Sequence, residues 1–428
     1  MTSRRGAVLS RPRGVAAVPV VLLLFFGLGV MLLYANRALI FEQRTAANQA
    51  RATQALELAE AGLEWALAML NLSESIDASC LPAASATDNF RDRLLTFDAA
   101  SGLITPRTDP ADADRLLRAT CAIVAGAPVC SCPGSGLPSF AQGVQGPMYA
   151  VEFAAVAPAR AGVVRLTATG CTSTGAAEPD PACLPGASGR ADARAQVTVL
   201  LARLPALATA PAAVVTLTGN FGPHGAGASV DLYNTDTGTR GITVHAGGTV
   251  DAGRVEVTTV PGTPPLDTLL GSDPTLAALA ADPDALFTGY FNMSKAAWRA
   301  AATRLTCGSD CAAQVQQAHA AGAQMIWIDG DAVLNSSTPL GSTARPLALV
   351  VDGQIELRGN TEFIGLIYAT TWDLQGGGRT GVRGAAVSEG SLSANGSADL
   401  YFDASVMLQL QQGGAGVFSR LPGSWRDF

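Results

Sequence analysis

An uncharged apolar run from Val15 to Tyr34 constrains this chain more than any other feature. At about 1.5 Å per residue, a helix of that length just crosses the hydrocarbon core of a bilayer. The run is too long for a typical signal-peptide core, and no clean A-x-A site follows it. Four arginines (Arg4, Arg5, Arg11 and Arg13) and no acidic residue precede it, which predicts a cytoplasmic N-terminus. Everything after Asn36 is then expected outside the cytoplasm. The expected topology is a single inner-membrane pass carrying a large exported head.

Residues 36 to 72 read as one helix continuous with the span. Ala47, Ala50, Ala55, Leu58, Gly62, Trp65 and Met69 recur at helical spacing. Small residues along this seam permit close approach, either by other helices or by the chain's own head.

The stretch RGVAAVPVVLLLFFGLGVMLLYAN, followed by QRTAANQARATQALELAEAGLEWALAML, resembles the N-terminus of type IV pilin-like proteins, most of all the PilX-like pilus assembly family. In that family a short basic leader ends in Gly. An apolar helix follows and continues into an Ala/Glu-rich segment with an AEAG block, here Ala59-Glu60-Ala61-Gly62. Pro422-Gly423-Ser424-Trp425-Arg426 resembles the ending of long members. The resemblance covers the chain from its start to about Leu72, and its last few positions. It implies cleavage by a prepilin peptidase between Gly14 and Val15. Val15 stands where major pilins have Phe. Pro19, fifth after the cut, stands where they carry a Glu thought to pair with a neighbour's terminal amine. Its absence implies a minor or initiating subunit of a type IV pilus or related system rather than the bulk filament subunit. The implied partners are other pilin-like subunits, the prepilin peptidase and the inner membrane, with an extracellular surface, a glycan or DNA open to the head. The rival readings are an anchored adhesin with no filament role, a tip receptor for DNA uptake and an anchored polysaccharide-active enzyme.

Net charge is −7; without the leader's four arginines, 24 basic residues face 35 acidic ones, a net −11. No Lys/Arg run exists in the head, so the global footprint is a poor one for nucleic acid. The eight cysteines, Cys80, Cys121, Cys130, Cys132, Cys171, Cys183, Cys307 and Cys311, all follow the span. An even number in an oxidising envelope predicts disulfides. Proximity favours Cys171–Cys183 and Cys307–Cys311, and leaves the other four to pair among themselves in an open order. Cys130-Ser131-Cys132 lacks the two-residue spacer of a zinc knuckle, so no metal is expected. No cofactor is expected either.

The expected fold class is α+β. The long membrane-spanning helix (15–35, extended over 36–72) leads into a pilin-like antiparallel sheet region over 73–206. Its strands are expected at Leu94–Phe97, Tyr149–Val156, Val163–Thr169 and Ala195–Leu201. Leu204-Pro205-Ala206-Leu207 marks a boundary. Over 207–428 the texture changes to short strands between Gly/Asn turns. Gly359, Gly377 and Asn395 are evenly spaced, at a period that suits the coils of a β-solenoid-like domain. A helical insertion over about 265–325 interrupts it. Helices are expected at Asp273 to Ala285 and, capped by Ser294, at Lys295 to Ala320, with Trp298 and Leu305 on one apolar face.

Asp329 and Asp331, with Asp352 and Glu356 on the next strand, are the candidate acid and base of a carbohydrate-cleaving site. Asp329-Gly330-Asp331 is equally the signature of a turn with solvated carboxylates. Asn234-Thr235-Asp236-Thr237-Gly238, with Asp231 nearby, resembles part of a calcium loop but lacks the closing acid. His224, His245 and His319 stand apart in sequence. No nucleophile elbow, P-loop or dinucleotide motif stands between a strand and a helix, and no enzymatic activity is expected.

Overall fold

The computed structural model describes residues 17–83, 85–136, 138, 140, 146–172, 183, 193–224, 228–375 and 379–427. The basic leader, Gly14, Val15 and the turn at Gly376 to Gly378 lie outside the described residues.

One helix, Ala17–Asn71, runs unbroken for 55 residues, about 80 Å at its rise per residue. Pro19 falls in its first turn, where a missing N–H breaks no intrahelical bond. Large apolar side chains from Val18 to Phe41 are exposed. From Ala55 one face is buried, through Leu58, Ala59, Leu63, Ala66, Met69 and Leu70, at the spacing of an amphipathic stripe.

That stripe lies on a six-stranded antiparallel sheet in the order Gly416–Arg420, Arg194–Pro205, Val163–Cys171, Met148–Ala154, Arg118–Val124, Ala127–Ser131. Alternate residues Val164, Leu166 and Ala168, and Val197, Val199 and Leu201, share its core with the helix. Gly170 lets the two backbones meet, since a Cβ there would overlap the Ala55 carbonyl oxygen. Leu95–Phe97 forms a separate two-stranded ladder with Ile104–Pro106 instead of joining this sheet.

A second sheet has 14 strands, and its pairings are all parallel. Its main path runs Val255–Thr259, Ser229–Asn234, Ser397–Phe402, Arg379–Ser388, Glu362–Gln375, Leu347–Arg358, Met325–Asp329, Thr303–Leu305. Leu347 lies in register with Gly365, Glu362 with Gly381, and Arg379 with Ser397, three steps of nearly equal length along the chain. Elsewhere the step is longer, as from Val230 to Val255.

Both faces of the central strands are buried. Leu347, Leu349 and Val351 enter one core with Ile355, Leu357 and Trp372. Ala348 and Val350 enter another, beneath Phe287, Phe291, Trp298 and Met407 of the covering helices. This double burial is why Leu347-Ala348-Leu349-Val350-Val351 is apolar throughout rather than alternating.

The structure corrects three expectations. The helix expected at Asp273 to Ala285 is two helices, Pro274–Ala278 and Pro283–Phe291, the second restarted by the Asp282 cap and Pro283 at its first position. The one expected at Lys295 to Ala320 breaks into Lys295–Ala301 and Ala312–Ala320, with the strand Thr303–Leu305 between them. Leu305 therefore does not share a helical face with Trp298. Finally, the region taken as 207–428 loses its last segment, because Gly416–Arg420 pairs antiparallel with Arg194–Pro205 in the first sheet.

Candidate functional site

Among the described residues, one helix is long and apolar enough to cross a membrane, and none of its apolar stretch is buried. The small-residue seam divides along its length. Ala47 and Ala50 are exposed, whereas Ala55, Leu58, Gly62 and Met69 are buried against the chain's own sheet. Trp65 sits edge-on to Phe90, with ring centroids 5.2 Å apart.

The cysteines form four disulfides: Cys80–Cys132, Cys121–Cys130, Cys171–Cys183 and Cys307–Cys311. Cys121 and Cys130 are in-register neighbours on adjacent strands. The Cys-Ser-Cys run is thus split between two bridges and presents no thiolate pair to a metal. Cys307–Cys311 closes the turn that opens the Ala312–Ala320 helix, Cys311 standing at its cap.

The candidate carboxylates divide between structural jobs. Asp329 accepts from Arg299 at 2.6 and 2.9 Å, from Arg304 at 3.0 Å and from Trp327 Nε1 at 2.9 Å. The Arg304 and Arg299 guanidiniums, with Trp327, hold its carboxyl below the ordinary range. Asp331 closes a turn by accepting from the Gln354 amide at 2.8 Å. Glu356 pairs with Arg358. Asp352 lies in register beside Asp329 on the next strand.

Asn234 and Asp236 also close a turn. Asn234 Oδ1 accepts from the Asp236 amide at 3.0 Å, and Asp236 Oδ2 from the Thr239 amide at 2.8 Å. His245 Nε2 is 2.7 Å from Asp273 Oδ2, while the same carboxylate caps the Pro274–Ala278 helix. His319 Nε2 donates to the Arg345 carbonyl at 2.9 Å. His224 lies apart from both, following the Phe221–Pro223 strand. Among the described residues, no group of three or more His, Cys, Asp or Glu side chains is placed to hold a metal ion.

Two arrangements escaped the sequence. Arg203 donates to the Ala415 and Gln411 carbonyls at 3.1 and 3.0 Å, and Arg91 to the Gly416 carbonyl at 3.1 Å. Both guanidiniums lie about 6 Å from the Phe97 ring, at 5.9 and 6.0 Å. Burial and the neighbouring Arg91 charge push Arg203 down to about 10. The second arrangement is a stacked pair, Tyr233 and Tyr401, on the outer side of the parallel sheet. Both bring together residues far apart in sequence, so no local pattern announces them.

No family model matches the chain, and no curated protein matches it. Among solved structures, the chain is similar to the competence-associated pilin ComZ from Thermus thermophilus. Identity is 14% over 88% of this chain and 97% of that one, with a TM-score of 0.23.

Proposed function

We propose that this chain is a membrane-anchored, minor-pilin-like subunit of a bacterial type IV pilus or related envelope system, with the PilX-like assembly proteins as its nearest group. The observation that carries the reading is the Ala17–Asn71 helix, apolar and exposed over its first part and packed on an antiparallel sheet over its last. Such a division lets one helix anchor the chain, pack among other pilin-like helices and hold its own head.

In this reading the N-terminus is cytoplasmic, the head is exported, and the leader is cut between Gly14 and Val15. Pro19 in place of the usual Glu marks an initiating or tip subunit. The parallel sheet is a β-solenoid head, supported by its parallel pairings, the near-constant register steps of its central strands and its inward-facing apolar rows. The head acts by contact rather than catalysis, since Asp329 and Glu356 are committed to guanidiniums. A head this large obstructs repeated packing, so it stands at a tip or flank.

The test is recovery of the mature chain from sheared filaments. It should begin at Val15 and be present at a small fraction of the major subunit. An uncut chain that is absent from filaments would overturn the reading in favour of the anchored adhesin. Abundance equal to the major subunit would refute the minor role.

A further inference from the structure

A cavity of about 230 Å³ lies where the two sheets and the end of the long helix meet. Asn71 and Ser73 reach it from that helix, and Arg91 from the short helix Phe90–Leu94. Thr303 and Gly322 line it from the side of the parallel sheet, and Gly416 from the strand that returns to the antiparallel one.

Arg91 is 5% exposed. Its Nη1 donates to the Gly416 carbonyl at 3.1 Å, whereas its Nε and Nη2 donate to no acceptor among the described residues. Asp92 Oδ1 stands 3.8 Å from that Nε, beyond hydrogen-bond reach. Two further guanidiniums close in. Arg345 Nη2 is 3.5 Å from the place a Cβ on Gly322 would take, so it stands at the cavity wall. Its side chain makes no hydrogen bond or ion pair among the described residues. Arg203 donates to the carbonyl of Ala415, which also lines the cavity. Burial lowers the pKa of Arg91; Asp92 offsets part of this, and the charge of Arg345 adds to it.

Three guanidiniums thus face one carboxylate, Asp92. The helices Ala17–Asn71 and Lys295–Ala301 also end here, and each C-terminus contributes about half a negative charge. Roughly one positive charge is left uncompensated on that count. The cavity holds a neutral donor as well. Ser73 Oγ and Thr303 Oγ1 lie 3.3 Å apart, and the bond between them uses one of two hydroxyl protons. The other is free to donate.

Unpaired donors around an excess of positive charge fit an oxyanion. A guanidinium edge matches two oxygens of a tetrahedral anion, and a hydroxyl takes a third. The volume lies below the ~300–1,000 Å³ of clefts that take drug-sized ligands, which favours a free ion over a larger ester. We propose that this cavity binds one inorganic oxyanion of the phosphate or sulfate class, held by Arg91, Arg345 and the Ser73 or Thr303 hydroxyl. The bound ion joins the end of the long helix to both sheets. The inference stands on this geometry alone and is independent of any filament role.

The experiment uses the full chain in a non-ionic detergent. It is dialysed against radiolabelled phosphate in about 100 mM chloride, which screens exposed charges. Binding of phosphate should show a Kd below about 1 mM, and sulfate should displace it. Arg91→Met should weaken binding at least about tenfold. Arg345→Met removes no side-chain hydrogen bond of the free protein, so it decides the matter should Arg91→Met fail to fold. It should weaken binding at least about threefold. Bound phosphate should also slow hydrogen exchange at Thr303–Leu305 and Gly416–Arg420, while Val255–Thr259 exchanges as before. No phosphate bound at about 10 mM, an unchanged Kd in Arg345→Met, or slowed exchange only away from these two strands would overturn the proposal.

Discussion

Gly384→Ala should destabilise the parallel sheet far more than Gly330→Ala, although both replace a glycine at positive φ in the same region. Gly330, at φ +82°, has nothing within 4 Å of the place a Cβ would take. An alanine there carries only the left-handed backbone penalty, roughly 1–2 kcal/mol. Gly384 lies at φ +140°, where essentially only glycine goes, at a cost of about 1–3 kcal/mol. A Cβ at Gly384 would also overlap the Gly365 carbonyl oxygen and stand 3.1 Å from Met407 Cε. The oxygen cannot swing aside. Gly365 is itself at φ +148°, and a Cβ on it would overlap the Leu347 carbonyl. Three strands therefore meet backbone to backbone at this corner, and overpacking adds about 1–3 kcal/mol. The expected loss is about 2–6 kcal/mol, a large share of the roughly 5–15 kcal/mol that holds a domain together. Urea denaturation of the full chain, followed by tryptophan fluorescence, reads it directly, because Trp298, Trp327 and Trp372 are all buried in this region. Equal midpoints for the two variants would mean that the corner relaxes freely, and the backbone-contact argument would be wrong.

Three further outcomes follow from the same geometry. Replacing Cys80 and Cys132 by Ser opens a bridge with a sequence separation of 52 and should lower stability by about 4 kcal/mol on the chain-entropy account, against about 2 kcal/mol for Cys307–Cys311 with a separation of 4; equal denaturation midpoints would contradict this. Asp329 has a depressed carboxyl pKa, so its contribution is present above the unfolded value of about 3.9 and is lost as pH falls through the lower folded value. Asp329→Asn should flatten that acid limb and leave the shape of the melting-temperature profile unchanged above about pH 5. Arg203→Met leaves the Ala415 carbonyl with only the Ala206 amide at 3.3 Å and removes the guanidinium from the half-buried Gln411 carbonyl, a loss of about 1–3 kcal/mol. Hydrogen exchange should then accelerate at Gly416–Arg420 while the Leu347–Arg358 strand keeps its protection; uniform protection in both would refute the clamp.

The sequence was most readable where the physics is local. The apolar run announces its helix because length and lack of charge suffice. Val163–Cys171 and Arg194–Pro205 show their strands through alternating branched residues facing one core. Gly359, at φ +67°, is the kind of corner that a Gly-Asn pair signals. Gly365 and Gly384 gave no such signal, because each sits inside a strand where its need for positive φ comes from the strand stacked beside it. Ala-rich composition suggested one helix from Lys295 to Ala320, yet Thr303–Leu305 pairs with Ile326 to Ile328, so sheet pairing overrides helix propensity there. Asp282-Pro283 did offer a legible restart signal, an N-cap before a proline, within the helix read as ending at Ala285.

The order of stacking was the least readable property, and it decides how the head is attached. A chain coiling steadily would stack each strand on the one before it. Here Ser397–Phe402 lies between Ser229–Asn234 and Arg379–Ser388, and Val215–Leu217 pairs with Ala386 to Ser388. The parallel sheet is thus entered and left in its middle, and the two ends of its main path, Val255–Thr259 and Thr303–Leu305, are joined through helices and the short strand Leu269–Leu270. Entry and exit are then neighbours. Arg194–Pro205 leads in, Gly416–Arg420 leads out as its antiparallel partner, and the Ala206 amide donates to the Ala415 carbonyl at 3.3 Å. Arg91 and Arg203 fasten the same neck from the antiparallel side. A second sheet joined through two paired strands and a buried guanidinium clamp is held to the antiparallel sheet, and through it to the helix packed there.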